Sequence, residues 1–141
     1  MMMYEGLKIE NIEKYFETIG RTVSTNFTYA LVEPKTRWFF FWGPLAAFKY
    51  KYYIAAFFPD EIILVQLTAM GNFKDEYKVI PQEDIQAMQI KKGFIQYKVV
   101  IQTYEEKIKL RCNKFILSMP WQKENTTYLE NNNWYVEKLK G

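Results

Sequence analysis

From Ile95 to Cys112 the chain alternates apolar and polar residues with a period of two. That pattern commits it to a fold built on strands. Ile95, Tyr97, Val99 and Ile101 interleave with Gln96, Lys98 and Gln102; beyond Tyr104-Glu105-Glu106, Ile108, Leu110 and Cys112 interleave with Lys107, Lys109 and Arg111. Such alternation puts one set of side chains in a core and the other in water. Tyr97 and Cys112 are expected to face inward, which makes Cys112 a packing residue rather than a reactive one.

Upstream, shorter runs of the same kind are separated by turn residues. Strands are expected at roughly 26 to 33, Lys49 to Phe58, Ile62 to Thr68, Glu76 to Ile80 and Ile85 to Lys91. Pro59-Asp60-Glu61, Gly71-Asn72, Pro81 and Lys92-Gly93 punctuate them. About seven successive strands joined by hairpins favour an antiparallel meander, curled into a barrel or sandwich spanning about 25–114.

Helices are expected at both ends. Ile9, Ile12, Tyr15, Phe16 and Ile19 recur at spacings of three and four, so an amphipathic helix covers about 8–20, with Gly20 as its stop. At the other end Ser118 is placed to cap a helix of about 119–139 that has Pro120 near its first position. Trp121, Tyr128, Leu129, Tyr135, Val136 and Leu139 lie close to one stripe, and Asn131-Asn132-Asn133 marks a place where that helix breaks or restarts. A length of 141 residues fits one domain, 1–141.

A run of another kind, Arg37-Trp38-Phe39-Phe40-Phe41-Trp42-Gly43-Pro44-Leu45-Ala46-Ala47-Phe48, joins the first two strands. Its apolar stretch is too short to cross a bilayer, which takes about twenty residues, and Gly43-Pro44 interrupts it. Cations stand at both edges: Lys35 and Arg37 before it, Lys49 and Lys51 after it. Three readings are open for it: burial, as a strand extension or against the N-terminal helix, contact with a protein or a second copy of the chain, and contact with a membrane. Burial is the preferred one.

Composition narrows the function classes. Aromatics make up 18% of the chain, which excludes low-complexity disorder. The net charge is +3, too small to imply a nucleic-acid partner, although Gln86 to Lys123 carries eight cations against Glu105 and Glu106 alone. Stacking platforms for single strands interleave aromatics with cations on one face. Here the outward positions beside Lys98 hold Gln96 and Gln102, so no nucleic acid is expected. The chain has no histidine, the commonest general base and metal ligand, and a single cysteine. Ser24 and Ser118 lack a triad context, the glycines form no phosphate loop, and the Asp75-Glu76 and Glu83-Asp84 pairs fall at turns. No enzyme, cofactor or metal is therefore expected. With no basic n-region and apolar h-region at Met1-Met2-Met3-Tyr4-Glu5-Gly6, the expected location is the cytoplasm, with a peripheral place on a membrane as the extension.

Local motifs add a resemblance. Gly43-Pro44-Leu45-Ala46-Ala47 leading into Tyr52-Tyr53-Ile54-Ala55, the Phe58-Pro59-Asp60-Glu61-Ile62-Ile63-Leu64 strand–turn–strand, Ile80-Pro81-Gln82-Glu83-Asp84-Ile85, Lys107-Ile108-Lys109-Leu110-Arg111 and Gln122-Lys123-Glu124-Asn125 cover roughly residues 25 to 130. Together they resemble the small bacterial pleckstrin-homology-like (PH-like) proteins of low-GC Gram-positive organisms. Pro59 stands where that family usually has Thr. The resemblance implies a mainly β fold with flanking helices (α+β): a seven-stranded antiparallel barrel or sandwich capped by a C-terminal helix, here with an extra N-terminal amphipathic helix. It also implies a non-catalytic binding or scaffolding module for a protein partner or a second copy of itself. The alternative is a peripheral membrane module, since lipid-binding members of the superfold use the loop between their first two strands. In that reading Trp38, Phe39, Phe40, Phe41 and Trp42 enter the bilayer, and Lys35, Arg37, Lys49 and Lys51 meet anionic headgroups.

Overall fold

The computed structural model describes residues 7–32, 51–68 and 71–139. Helix α1 (Ile9–Thr18) precedes seven strands: β1 (Phe27–Val32), β2 (Lys51–Phe57), β3 (Glu61–Leu67), β4 (Phe73–Pro81), β5 (Ile85–Lys92), β6 (Gln96–Thr103) and β7 (Lys107–Asn113). Helices α2 (Trp121–Asn131) and α3 (Val136–Leu139) follow. The strands form one antiparallel sheet in the order β4-β3-β2-β1-β7-β6-β5, so the fold is mostly β with helices packed on it. β4 and β5 are its edges and no ladder joins them, so the sheet is not closed. β1 is the seam between the halves: all of it pairs with β2, but only Leu31 and Val32 pair with β7, opposite Arg111 and Leu110.

Alternation along the strands builds two cores. On one face Ala55, Phe57, Ile62 and Leu64 of β2 and β3 join Tyr97, Val99, Leu110 and Cys112 of β6 and β7 in a single cluster. Residues from both halves meet there because the sheet folds over the C-terminal segment, which contributes Leu129, Trp134, Val136 and Leu139. Trp134 sits between the Phe57 and Tyr97 rings, edge-on to both at 5.1 and 5.2 Å. Its indole N–H is buried without a partner.

The opposite face of β1 to β3 carries Phe27, Ile54, Ala56, Ile63, Val65 and Leu67. It receives Ile12 and Phe16 of α1, so the described partner of the amphipathic helix is the sheet itself. Tyr15 stacks on Phe73 at 4.7 Å, and Trp121 packs on Phe27 while donating its indole N–H to the Leu7 carbonyl, 2.9 Å away. After α1, Gly20 takes φ +84° and donates to Glu17 O, while the Arg21 N–H donates to Phe16 O. That pair of bonds is a Schellman stop, and it requires a residue free to adopt a left-handed conformation.

Several expectations change. The C-terminal helix is not one stripe: Trp121 belongs to the α1 core, whereas Leu129 and Val136 belong to the other. Between α2 and α3, Asn133, Trp134 and Tyr135 all have φ between 50° and 57°, which turns the chain and buries Trp134. Ser118 does not cap α2; Pro120 occupies the cap position, and no side-chain bond caps the helix. β4 runs from Phe73 rather than Glu76, because it is an edge strand whose polar residues hide it from a pattern based on burial. Ile9 is exposed at the helix start, and Ile95 lies in a turn instead of on the core face of β6.

Candidate interaction surface

Of the residues first singled out, Lys35, Arg37, Trp38, Phe39, Phe40, Phe41, Trp42 and Lys49 lie outside the described residues. Lys51 opens β2, exposed, opposite Val32. Among the described residues, a group of large apolar side chains is exposed on another part of the surface.

It forms where the β5–β6 turn meets the chain leaving β7. The Gly93 N–H donates to Gln96 O at 2.8 Å, and a Cβ on Gly93 would stand 2.8 Å from that same oxygen. Only glycine allows so close an approach without a shift. The tightened turn throws Phe94 and Ile95 outward, 96% and 68% exposed. The Lys114 N–H donates to Ile95 O at 3.0 Å and ties the next loop alongside. There Ile116 bridges to Met119, and Met119 is anchored in the core, so the chain between them must turn outward. Phe115 and Leu117 are left 60% and 86% exposed. Four large apolar side chains thus crowd two adjoining loops, where a single exposed residue would need no explanation.

Cations surround these loops. Register places Lys91 opposite Lys98 and Lys98 opposite Arg111, a row of like charges across three strands. Such opposition is unfavourable unless an anion relieves it. Lys92 pairs with Glu130 at 2.6 Å, and the Lys114 ammonium lies 5.4 Å from the centre of the Tyr97 ring. The Lys92 hydrogen bond, then one from Tyr97, holds the Glu130 carboxyl below its ordinary value. Burial, with Glu130 beside it, pushes the Tyr97 hydroxyl up to about 12. Lys107 and Lys109 extend the basic face along β7, both exposed.

A second feature, a shallow cleft of about 120 Å³, is lined by Lys78, Ile80, Asp84, Thr103, Tyr104 and Glu106. Two of its polar groups are already engaged: Lys78 pairs with Glu106, and the Thr103 hydroxyl serves the backbone of its own turn. The volume is well under that of a typical small-molecule site, roughly 300 Å³ or more. Burial pushes the Cys112 thiol up to about 12, so it is a poor nucleophile at neutral pH. Among the described residues no three His, Cys, Asp or Glu side chains gather as a metal site, and no helix is long and apolar enough to cross a membrane.

The sequence reading missed the apolar loops for a definite reason. Extending the period of β6 back by two residues turns Ile95 inward, whereas the strand begins at Gln96. The signal that was present is Gly93 followed by Phe94 at a turn, where an aromatic has no inward position to take. No protein-family model matches the chain, and no curated protein matches it in sequence.

Proposed function

We propose that this chain is a non-catalytic binding module of PH-like architecture that docks through the apolar end formed by Phe94, Ile95, Phe115 and Leu117. The observation that carries the reading is the exposure of those four side chains on two loops tied by the Lys114–Ile95 bond. An unoccupied surface of this kind is held in water against the hydrophobic effect, and a partner that covers it gains that free energy. The order of elements, seven antiparallel strands followed by helices against the core, supports the PH-like reading. So does the Ile80-Pro81-Gln82-Glu83-Asp84-Ile85 step, which carries the chain from β4 through a 3-10 turn, Gln82–Asp84, into β5.

The test is the size and location of the chain in cells that produce it. The wild type is expected to run with a larger assembly or with the membrane fraction, and the Phe94→Asp, Leu117→Asp double variant at monomer size. Identical profiles for the two would overturn the reading.

A further inference from the structure

Resting on that reading, we propose that the partner is an anionic lipid surface: Phe94, Ile95, Phe115 and Leu117 enter the acyl boundary while Lys91, Lys98 and Lys114 meet the phosphates. Three observations converge on it. The apolar residues occupy the tips of turns, so they project where a liquid can receive them without a matching pocket. An aromatic and aliphatic tip beside cations is the composition that favours the interface between headgroups and acyl chains.

The spacing is the second. Lys91 and Lys98 each stand two residues from the Gly93–Gln96 turn, on facing strands. At the rise of a strand, that sets their backbone ~7 Å behind Gly93 and Gln96 and ~10 Å behind Phe94 and Ile95 at the tip. Amphipathic surfaces bury about 5–10 Å into the same boundary, so these cations fall at the depth of the phosphates.

Charge is the third. Among the described residues Lys91 and Lys98 have no ion-pair partner, and they face each other across the β5–β6 ladder. Glu130, beside Lys92, Tyr97 and Lys114, is the carboxylate that the contacts bring into this group, and Lys92 neutralises it. The collar is therefore positive, and negative lipid relieves the cross-strand repulsion that folding leaves in place. A protein partner would need a cavity shaped for two separate loops; a bilayer needs only depth and negative charge.

Sedimentation of the purified full chain with vesicles tests this. Phosphatidylcholine vesicles containing phosphatidylglycerol are expected to bind it, phosphatidylcholine alone at least tenfold less, and added salt should weaken the binding. Phe94→Asp with Leu117→Asp should lower binding at least tenfold, and both positions are exposed enough to leave the fold intact, as circular dichroism would verify. Lys91→Glu with Lys98→Glu should remove most of the preference for phosphatidylglycerol. Phe94→Cys offers a readout independent of affinity, because Cys112 is fully buried and the new thiol alone takes an environment-sensitive dye. Its emission should shift to the blue on adding phosphatidylglycerol vesicles. A wild type that stays in the supernatant at low salt, or a dye that does not respond, overturns the lipid assignment. If the cellular assembly still depends on Phe94 and Leu117 in that case, the partner is a protein, and only the lipid inference falls.

Discussion

Cys112 shows how one position can be fixed by pattern and then given chemistry by its surroundings. Alternation alone turns it inward, and the sheet then closes over it completely. Burial raises its thiol from an ordinary 9.0 to about 12, opposed only by a hydrogen bond to Thr28. The folded chain should therefore resist a disulfide-exchange reagent at pH 8, and unfolding in urea should release one reactive thiol per chain. Fast reaction in the native state would mean that the face beneath α2 opens. Trp134 makes the opposite point. Among the described residues it is the largest fully buried side chain, yet its neighbours Asn132 and Asn133 read as a break, and a break reads as surface. Three left-handed residues in succession are what send it inward. Local pattern contains no sign of that.

At the scale of elements, the sheet's halves are welded by a polar side chain rather than an apolar one. Gln122 on α2 is fully buried; its amide donates to Thr28 Oγ1 at 2.8 Å and to Asn113 O at 2.7 Å, and its carbonyl accepts from the Tyr29 N–H at 3.0 Å. Asn125, one turn on, donates to Phe27 O at 2.9 Å. These bonds satisfy backbone groups at the start of β1 and the end of β7, beyond the two β1–β7 pairs found among the described residues, Leu31 with Arg111 and Val32 with Leu110. Gln122→Leu would take these bonds from the half-buried Tyr29 N–H and the Asn113 carbonyl and leave the Thr28 hydroxyl without its buried donor. A loss of about 2–3 kcal/mol is expected, read as a lower urea midpoint at unchanged slope. The sequence showed Gln122 and Asn125 only as the polar start of a helix, because the meaning of a buried amide lies in backbone groups about ninety positions away, on β1. α1 was easier to read. Its stripe is local, and Gly20 ends it with a bond pattern contained within six residues.

For the whole molecule, the titrating groups set the pH range of stability. Cys112, Tyr97 and Tyr135 all have their values raised to about 12 in the folded chain, the last by burial and then by its 2.7 Å bond to the Tyr128 hydroxyl. A raised value means that the folded state holds its proton where the unfolded chain has released it. The stability these groups contribute is complete below their ordinary values of 9.0 and 10.0 and is lost as pH climbs toward 12. Glu130 runs the other way: its lowered value stabilises the fold above its ordinary 4.5, and that share fades on acidification. Urea midpoints should hold steady from pH 7 to 9 and fall steeply by pH 11. A flat curve across that alkaline interval would mean these hydroxyl and thiol groups are hydrated in the folded state.

Elements whose periodicity is complete within a few residues are legible in the chain alone: α1 with its glycine stop, β6 and β7 with Tyr97 and Cys112 on their inner faces, and the turns at Pro59 and Gly93. Side-chain period and backbone freedom are local properties, so neighbouring residues suffice to express them. Tertiary structure decided how the strands are ordered, that the sheet stays open between β4 and β5, which core each end of α2 joins, and that Phe94, Ile95, Phe115 and Leu117 come together in water. Those outcomes depend on contacts between residues far apart in the chain, and an apolar residue has the same composition whether it is buried or left outside.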